Sequence, residues 1–426
     1  MLVENLLPRM FALQLVVLFL LPAWGSIAAA EETAADSLIV EPDAGIVVVM
    51  DTTSVVMSTD SLGTPEAHPQ DSPINRGFLI ITPDGENQLR IRGSIRVTGA
   101  YDLQGLQAQD NFDTYEIPVG QTTTDGRFFL NASQTRLGVE ARTSTEIGQA
   151  FMRVEGDFLG PEGSGSFRLR HAYGTLAEFT VGQTWTAFSD VSALPPTVDF
   201  EGPNSSITTR TVQVRYTPEK RRFALSIESP QPDVNLPDSL TSFQSFPDFA
   251  ARLRLQRMWG HMQVAAIIRS ITVRQDGEAA IKVGAGALFT GRMDLSPYNR
   301  LYWSFVGGAG ISRFIAALSG RGLDVLYNPS TGSVEVVGSF GGYLTYGNDW
   351  SEDWYSNVSV GLIRVRNKPF EPQDAFRSSA YASANLFWNL TSGSRLGLEY
   401  TYGIRENKNL QTGHASRVSG IMYYDF

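Results

Sequence analysis

The stretch "LRIRGSIRVTGAYD", Leu89 to Asp102, decides the fold. Leu89, Ile91, Gly93, Ile95, Val97, Gly99 and Tyr101 fall on one face, and Arg90, Arg92, Ser94, Arg96, Thr98 and Asp102 on the other. A period of two puts the two sets on opposite sides of a sheet. One side is apolar and ends in tyrosine; the other is strongly cationic.

The bulk composition narrows what such a sheet can be. The chain has 426 residues, 40 of them glycine, and no cysteine, with 30 arginines against 4 lysines. The absence of cysteine excludes disulfides, thiolate metal sites and a lipoprotein anchor. No run of 18 apolar residues follows the N-terminus, which excludes helical membrane spans there. The acidic excess is local. Residues 31 to 89 hold 11 acids and one base, Arg76, whereas residues 90 to 426 hold 32 of each. A neutral body rich in arginine gives no ground for nucleic-acid binding, and the direction in which the arginines point becomes the question.

Residues 1–30 read as a secretory signal peptide: Arg9 precedes the apolar run Met10 to Ala23, and Ala28, Ala29 and Ala30 offer a small-residue cleavage site. The run is short for a membrane anchor. Residues 31–76, rich in Ser, Thr, Asp and Pro, read as an acidic periplasmic leader of low order, in which the apolar run Ile46 to Met50 forms one strand against the body or none. The body spans 77–426.

From Gln88 onward, alternating segments are separated by turns rich in Gly, Pro, Asp and Asn. In "SRLGLEYTYGIRE", Leu396, Leu398, Tyr400, Tyr402 and Ile404 oppose Arg395, Gly397, Glu399, Thr401, Gly403 and Arg405. Strand starts are expected near Gln88, Gly126, Gly148, Phe167, Phe179, Ile207, Arg222, Pro247, Gly260, Ala280, Leu301, Arg313, Ser333, Asp353, Phe376, Ser394 and Ala415. A closed single-chain bacterial barrel takes an even number, so at least one of these is not a strand. Sixteen strands leave about 21 residues for each strand and connection, with fourteen or eighteen as alternatives.

A soluble sandwich buries its apolar face inward; a membrane barrel turns it outward to lipid and its polar face to a water-filled lumen. The signal peptide favours the barrel. So do aromatics near strand ends, Tyr101, Tyr216, Trp303, Tyr346, Trp350, Trp354, Tyr355 and Trp388, which suit interfacial girdles. The last strand, "SRVSGIMYYDF", closes on Tyr424 and Phe426, an ending typical of outer-membrane barrels delivered to the barrel-assembly machinery. The expected fold is therefore an all-β, transmembrane antiparallel barrel of about 16 strands in the Gram-negative outer membrane, among its lipids.

An arginine facing lipid at the bilayer midplane costs roughly 2–4 kcal/mol. Parity with small or polar neighbours then sends Arg90, Arg92, Arg96, Arg168, Arg170, Arg215, Arg252, Arg254, Arg269, Arg395, Arg405 and Arg417 into the lumen, while Arg364 and Arg366 sit beyond the membrane edge. A wall of guanidiniums would focus the field and admit anions. The alternative is that these arginines pair with acids and set pore width. The segment "VGQTWTAFSDVSALPPTVDFEGPNSS" runs to Ser206 without alternation and carries Asp190, Asp199 and Glu201. Folded inward it is a constriction loop that sets acids across from the arginines; the bland alternative is a surface or subunit-contact loop.

Leu169 to Glu219 resembles the central signature of the DcaP-like outer-membrane porins, through Arg170-His171-Ala172-Tyr173-Gly174, Gly182-Gln183-Thr184-Trp185, Asp199-Phe200-Glu201-Gly202-Pro203 and Gln213 to Thr217. "GFLIITPDGENQLRIRGSIRVTGAYD" resembles the family's first strand, and "SQTRLGVEARTST" with "VEGDFLG" its next strands. The resemblance implies a 16-stranded homotrimeric porin passing small anionic solutes, dicarboxylates among them. Members often begin with a helical coiled coil; the leader here shows no heptads.

An enzyme is the first rival. The histidines are His68, His171, His261 and His414; no GxSxG occurs, no His pair has metal spacing, and no cofactor is implied. His171 shares strand parity with Phe167, Leu169 and Tyr173, which reads as packing. A structural or adhesin barrel and a sugar, cation or general porin without anion selectivity remain as alternatives. The reading is passive diffusion with no chemical step.

Overall fold

The structure, a computed structural model, describes residues 47–49, 76–104, 106, 110–120, 126–160, 163–218, 222–275 and 278–426. The expected signal peptide and most of the acidic leader lie outside the described residues.

Twenty strands form one antiparallel sheet. Two of them, Val47–Val49 and Phe78–Ile81, make a leading hairpin, and two wall strands are each broken into two segments, so the wall has sixteen staves. These are β1 (Asn87–Asp102), β2 (Arg127–Asn131 and Arg136–Thr145), β3 (Gly148–Gly160), β4 (Gly163–Leu176), β5 (Phe179–Trp185), β6 (Arg210–Tyr216), β7 (Phe223–Glu228) and β8 (Leu240–Phe243 and Asp248–Arg257). The wall continues with β9 (Gly260–Gln275), β10 (Glu278–Asp294), β11 (Asn299–Ala309), β12 (Gly338–Asp349), β13 (Trp354–Val365), β14 (Phe376–Asn389), β15 (Ser394–Asn407) and β16 (Thr412–Asp425). Each pairs with its sequence neighbours, and β16 closes the cylinder on β1 from Arg417 opposite Asp102 to Asp425 opposite Ser94. Closure leaves the wall without the sticky edges of an open sheet.

The faces divide as the alternation requires. On β1, Ile95, Val97 and Tyr101 are exposed outward, while Arg92, Ser94, Arg96, Thr98 and Asp102 are buried within. Leu137, Val139, Met152, Val154, Phe167, Leu169, Leu253, Val264 and Leu398 continue the outward apolar band. Backbone groups in hydrocarbon must be paired within the wall, and a closed antiparallel ladder pairs them all.

Of the seventeen expected strand starts, Arg313 is not a strand. Ser312–Phe314 and Ala316–Leu318 are 3-10 turns inside loop 310–337, and the apolar residues there are buried on every side, so no period of two survives. The start near Ser333 falls on a small hairpin of that loop, Val325–Asn328 with Ser333–Val336, and the next stave begins at Gly338. Tyr355 does not join an outer girdle: it faces inward and stacks on Phe387 at 4.9 Å, beside a buried cluster of Val198, Ile421 and Tyr423. Tyr101, Tyr346, Trp350 and Trp388 are exposed.

Short turns and both ends of the wall lie at one rim, which in such barrels faces the periplasm. At the opposite rim, loops 186–209 and 310–337 and the described residues of loop 103–126 fold into the lumen. Phe188, Ile311, Phe314, Ile315 and Leu318 form a dry core there with Ile267, Leu288, Ile363 and Phe376. Phe112 and Ile117 form a second with Tyr381 and Ala415. These plugs fill the side walled by β8–β16.

Candidate functional site: the lumen

Loop 186–209 leaves the wall at Trp185, crosses the lumen and returns at Arg210. Hydrogen bonds fix it along the far wall. The Gln263 amide donates to the Ser189 carbonyl at 2.8 Å, the Tyr343 hydroxyl to the Ala193 carbonyl at 3.0 Å, and the Asn385 amide to the Pro196 carbonyl at 3.0 Å. The Val198 and Asp199 amides donate to Glu399. At the root, Glu228 accepts from the Ala187 amide at 2.9 Å and from the Thr186 hydroxyl at 2.6 Å.

The three loop acids have different surroundings. Asp190 lies 2.8 Å from His261 Nε2, accepts from the Thr290 hydroxyl at 2.8 Å and from Arg254 at 3.3 Å. Burial alone would raise its carboxyl, but His261 and Arg254 outweigh this and hold it well below the usual range. Asp199 accepts from the Phe112 amide of loop 103–126 at 2.6 Å. Burial pushes its carboxyl up to about 6, against the opposing charge of Arg417. Glu201 accepts from Asn111; burial first, then the charges of Asp113 and Asp199, push it well above the usual range.

All twelve arginines named from the sequence sit on inward parity, but they do not form one wall. Four hold loops. Arg254 binds the tip of loop 186–209. Arg269 binds Asp324 of loop 310–337 at 2.7 Å and Asp248 at 3.3 Å. Arg405 donates to the Tyr115 carbonyl. Arg417 forks onto Asp102 at 2.6 and 3.2 Å and donates to the Asn111 carbonyl. At the periplasmic end Arg90 donates to the Arg76 carbonyl, and Arg395 to Asn389. Arg215 donates to the Trp185 carbonyl at 3.3 Å, and Arg252 is buried on β8. Arg92, Arg96, Arg168 and Arg170 remain together on β1 and β4.

That last group belongs to a ladder that runs along β1–β4. Arg92 meets Glu140 at 3.0 Å and Glu155 at 3.5 Å. Arg170 meets Glu155 and Asp157, both at 2.9 Å, and Arg168 forks onto Asp157 at 2.9 and 2.7 Å. Arg96 lies over the Tyr423 ring at 4.7 Å. Where this ladder meets loop 186–209 lies a cavity of about 380 Å³, lined by Arg136, Arg168, Arg170 and Arg210 together with Asp110, Phe200 and Glu201. Within a 16-stranded wall, an aqueous gap narrowed by a folded-in loop passes small solutes and refuses large ones.

The sequence reading omitted Arg136, Arg153 and Arg210. The signal existed for two: Arg136 alternates with Leu137 and Val139, and Arg153 with Met152 and Val154. Arg210 opens a short strand just after a loop, where no alternation precedes it. The parity assigned to His171 is corrected. On β4 an extra residue is inserted opposite β3, since Glu155 pairs with His171 and Gly156 with Leu169. This bulge sends both Arg170 and His171 inward, so His171 is 1 % exposed while Phe167 and Leu169 face out. Among the described residues no cluster of His, Asp and Glu suits a metal ion.

Residues 79–426 match the model of the DcaP outer membrane protein family. The chain belongs to that family. This DcaP-family protein is similar in fold to the outer membrane channel DcaP of Acinetobacter baumannii, with a TM-score of 0.69 at 18% identity, over 80% of this chain and 98% of that one. An anion-selective porin from Comamonas acidovorans aligns with a TM-score of 0.54 at 12% identity, over 80% of this chain and all of the other. A loop-deletion form of OmpT from Vibrio cholerae aligns at 0.51 and 12%, with the same coverage. No curated protein matches the chain. The protein is an outer-membrane channel of the porin type, and its family and structural neighbours are channels rather than enzymes.

Proposed function

We propose that the protein is a passive diffusion channel for small, preferentially anionic solutes, dicarboxylates among them, exported by its N-terminal signal peptide, inserted through its C-terminal strand and assembled as a homotrimer. The carrying observation is the charge balance along the ladder. Arg90, Arg92, Arg96, Arg127, Arg136, Arg142, Arg153, Arg168 and Arg170 share β1–β4 with Asp102, Glu140, Glu155 and Asp157, nine guanidiniums against four carboxylates. The surplus stands at the edge of the cavity, where low-dielectric walls focus its field. Guanidiniums keep their charge at every working pH and fork onto carboxylates.

The ion pairs of the ladder favour a second reading, a general porin in which the pairs brace the wall and leave little selectivity. Single-channel reversal potentials in a KCl gradient separate the two. Chloride preference supports the first; a ratio near unity, or potassium preference, refutes it.

A further inference from the structure

Trp185 and Arg210 are the last and first wall residues on either side of loop 186–209, and they face each other across the β5–β6 ladder. The Arg210 guanidinium carbon lies 3.7 Å from the Trp185 ring centroid, so the two planes are in contact. Its Nε donates to His171 Nε2 at 3.3 Å. His171 reaches that position through the bulge on β4; its Nδ1 lies 3.1 Å from the Thr184 hydroxyl, and its ring meets Trp185 edge-on at 5.3 Å. A ring nitrogen that accepts from a guanidinium carries no proton, so His171 serves as a neutral acceptor.

Trp185 and Arg210 both line the cavity described above, as do Arg136, Arg170 and Glu201. An unrestrained arginine spreads its charge over many rotamers, and a solute must then immobilise the side chain as it binds. Here one face and one edge of the guanidinium are already fixed. Resting on the anionic-solute reading, we propose that Arg210 is the specificity-determining cation of the constriction, and that Trp185 and His171 are its positioning residues. Arg210 meets an anion in a preset orientation, so its binding contribution depends on the stack as well as on the charge.

The test uses the full-length protein in planar bilayers, with succinate as the probe that blocks chloride current. Arg210→Gln is expected to raise the half-blocking succinate concentration about fourfold, the effect of one unit charge at about 5 Å through water, and to lower the chloride-to-potassium ratio. Arg210→Lys keeps the charge but loses the stack and the Nε donor, and is expected to raise it about twofold. Trp185→Leu and His171→Phe should match Arg210→Lys, with heat-resistant folded barrel retained in detergent. Added to Arg210→Gln, Trp185→Leu should have no further effect, because a positioning residue acts only through what it positions. The proposal is overturned if Arg210→Gln and Arg210→Lys both block like the native protein, or if Trp185→Leu shifts the block equally with and without Arg210. A native channel that prefers chloride while these variants are silent refutes the role of Arg210 alone; a native channel with no anion preference refutes the diffusion reading and this proposal together.

Discussion

Removing opposite charges from one rung of the ladder should move selectivity in opposite directions. Arg170 is 1 % exposed and bound to Glu155 and Asp157, both at 2.9 Å. Arg170→Gln takes one positive charge from the cavity edge, and Asp157→Asn takes away the acid shared by Arg168 and Arg170. A unit charge about 5 Å from a passing ion is worth about 0.8 kcal/mol through water, with opposite sign for anion and cation, so about fourfold in each permeability and about sixteenfold in their ratio. The chloride-to-potassium ratio should fall about sixteenfold in Arg170→Gln and rise by a similar factor in Asp157→Asn. Each change leaves a buried charge with one partner fewer. Breaking a buried pair outright costs about 3–5 kcal/mol, and the cost here should lie at the lower end because the remaining partners stay. Both variants should therefore unfold earlier in guanidinium while still inserting. Reversal potentials under a tenfold KCl gradient provide the readout. If both variants shift the ratio in the same direction, or if conductance changes while the ratio stays fixed, the ladder sets pore width and the electrostatic reasoning is wrong.

Asp190→Ala strands Arg254 and His261 at the loop tip, a loss of about 3–5 kcal/mol locally; open-channel current noise should rise, and a quiet trace would show that apolar packing alone holds the tip. The Asp199 carboxyl, pushed up to about 6, and that of Glu201, pushed well above the usual range, bind protons more tightly in the folded loop than in an unfolded chain. Loop packing is therefore fully favoured only below the ordinary carboxyl values of the unfolded chain, and weakens as pH rises from there through the folded ones. Chloride preference should increase from about pH 8 to about pH 5 as the loop loses negative charge, and Glu201→Gln should blunt that response; a decrease on acidification would contradict the assignment. A Cβ at Gly93 would lie 2.4 Å from the Phe426 ring. Gly93→Val should displace this ring at a cost of about 1–3 kcal/mol and reduce the heat-resistant folded band in detergent gels, whereas an undiminished band would separate that contact from assembly.

The wall was legible because a stave has two environments, lipid and lumen, and the sequence records that choice every second residue. β1 and β15 could be read from their letters alone. Legibility failed where the chain leaves the wall. Loop 310–337 is enclosed by its own turns and by neighbouring loops, so Arg313 and Ile315 resemble a strand without being one. It failed again at His171, where one inserted residue reverses every later assignment on β4. The acids that match the arginines were out of reach for a third reason. Arg92 meets Glu140 because β1 and β2 pair in one particular register, and Arg269 meets Asp324 only through a loop folded back 55 residues later. Parity gives direction; partners depend on register and topology.

The leading hairpin gives the cylinder an unusual hem. The first stave begins at Asn87, yet its neighbour across the seam ends beside Gly93, so the lower part of β1 would meet the periplasm with a bare row of amides and carbonyls. Phe78–Ile81 lies along that row, pairing with Gln88 to Ile91, and Val47–Val49 adds a further strand beyond it. The polypeptide that arrives ahead of the barrel thus ends up stitched below its own C-terminus, with Phe78 and Phe426 6.4 Å apart. A fragment starting at Asn87 would still close, but it would carry an adhesive strip at its rim, open to any extended peptide in the space beneath the membrane.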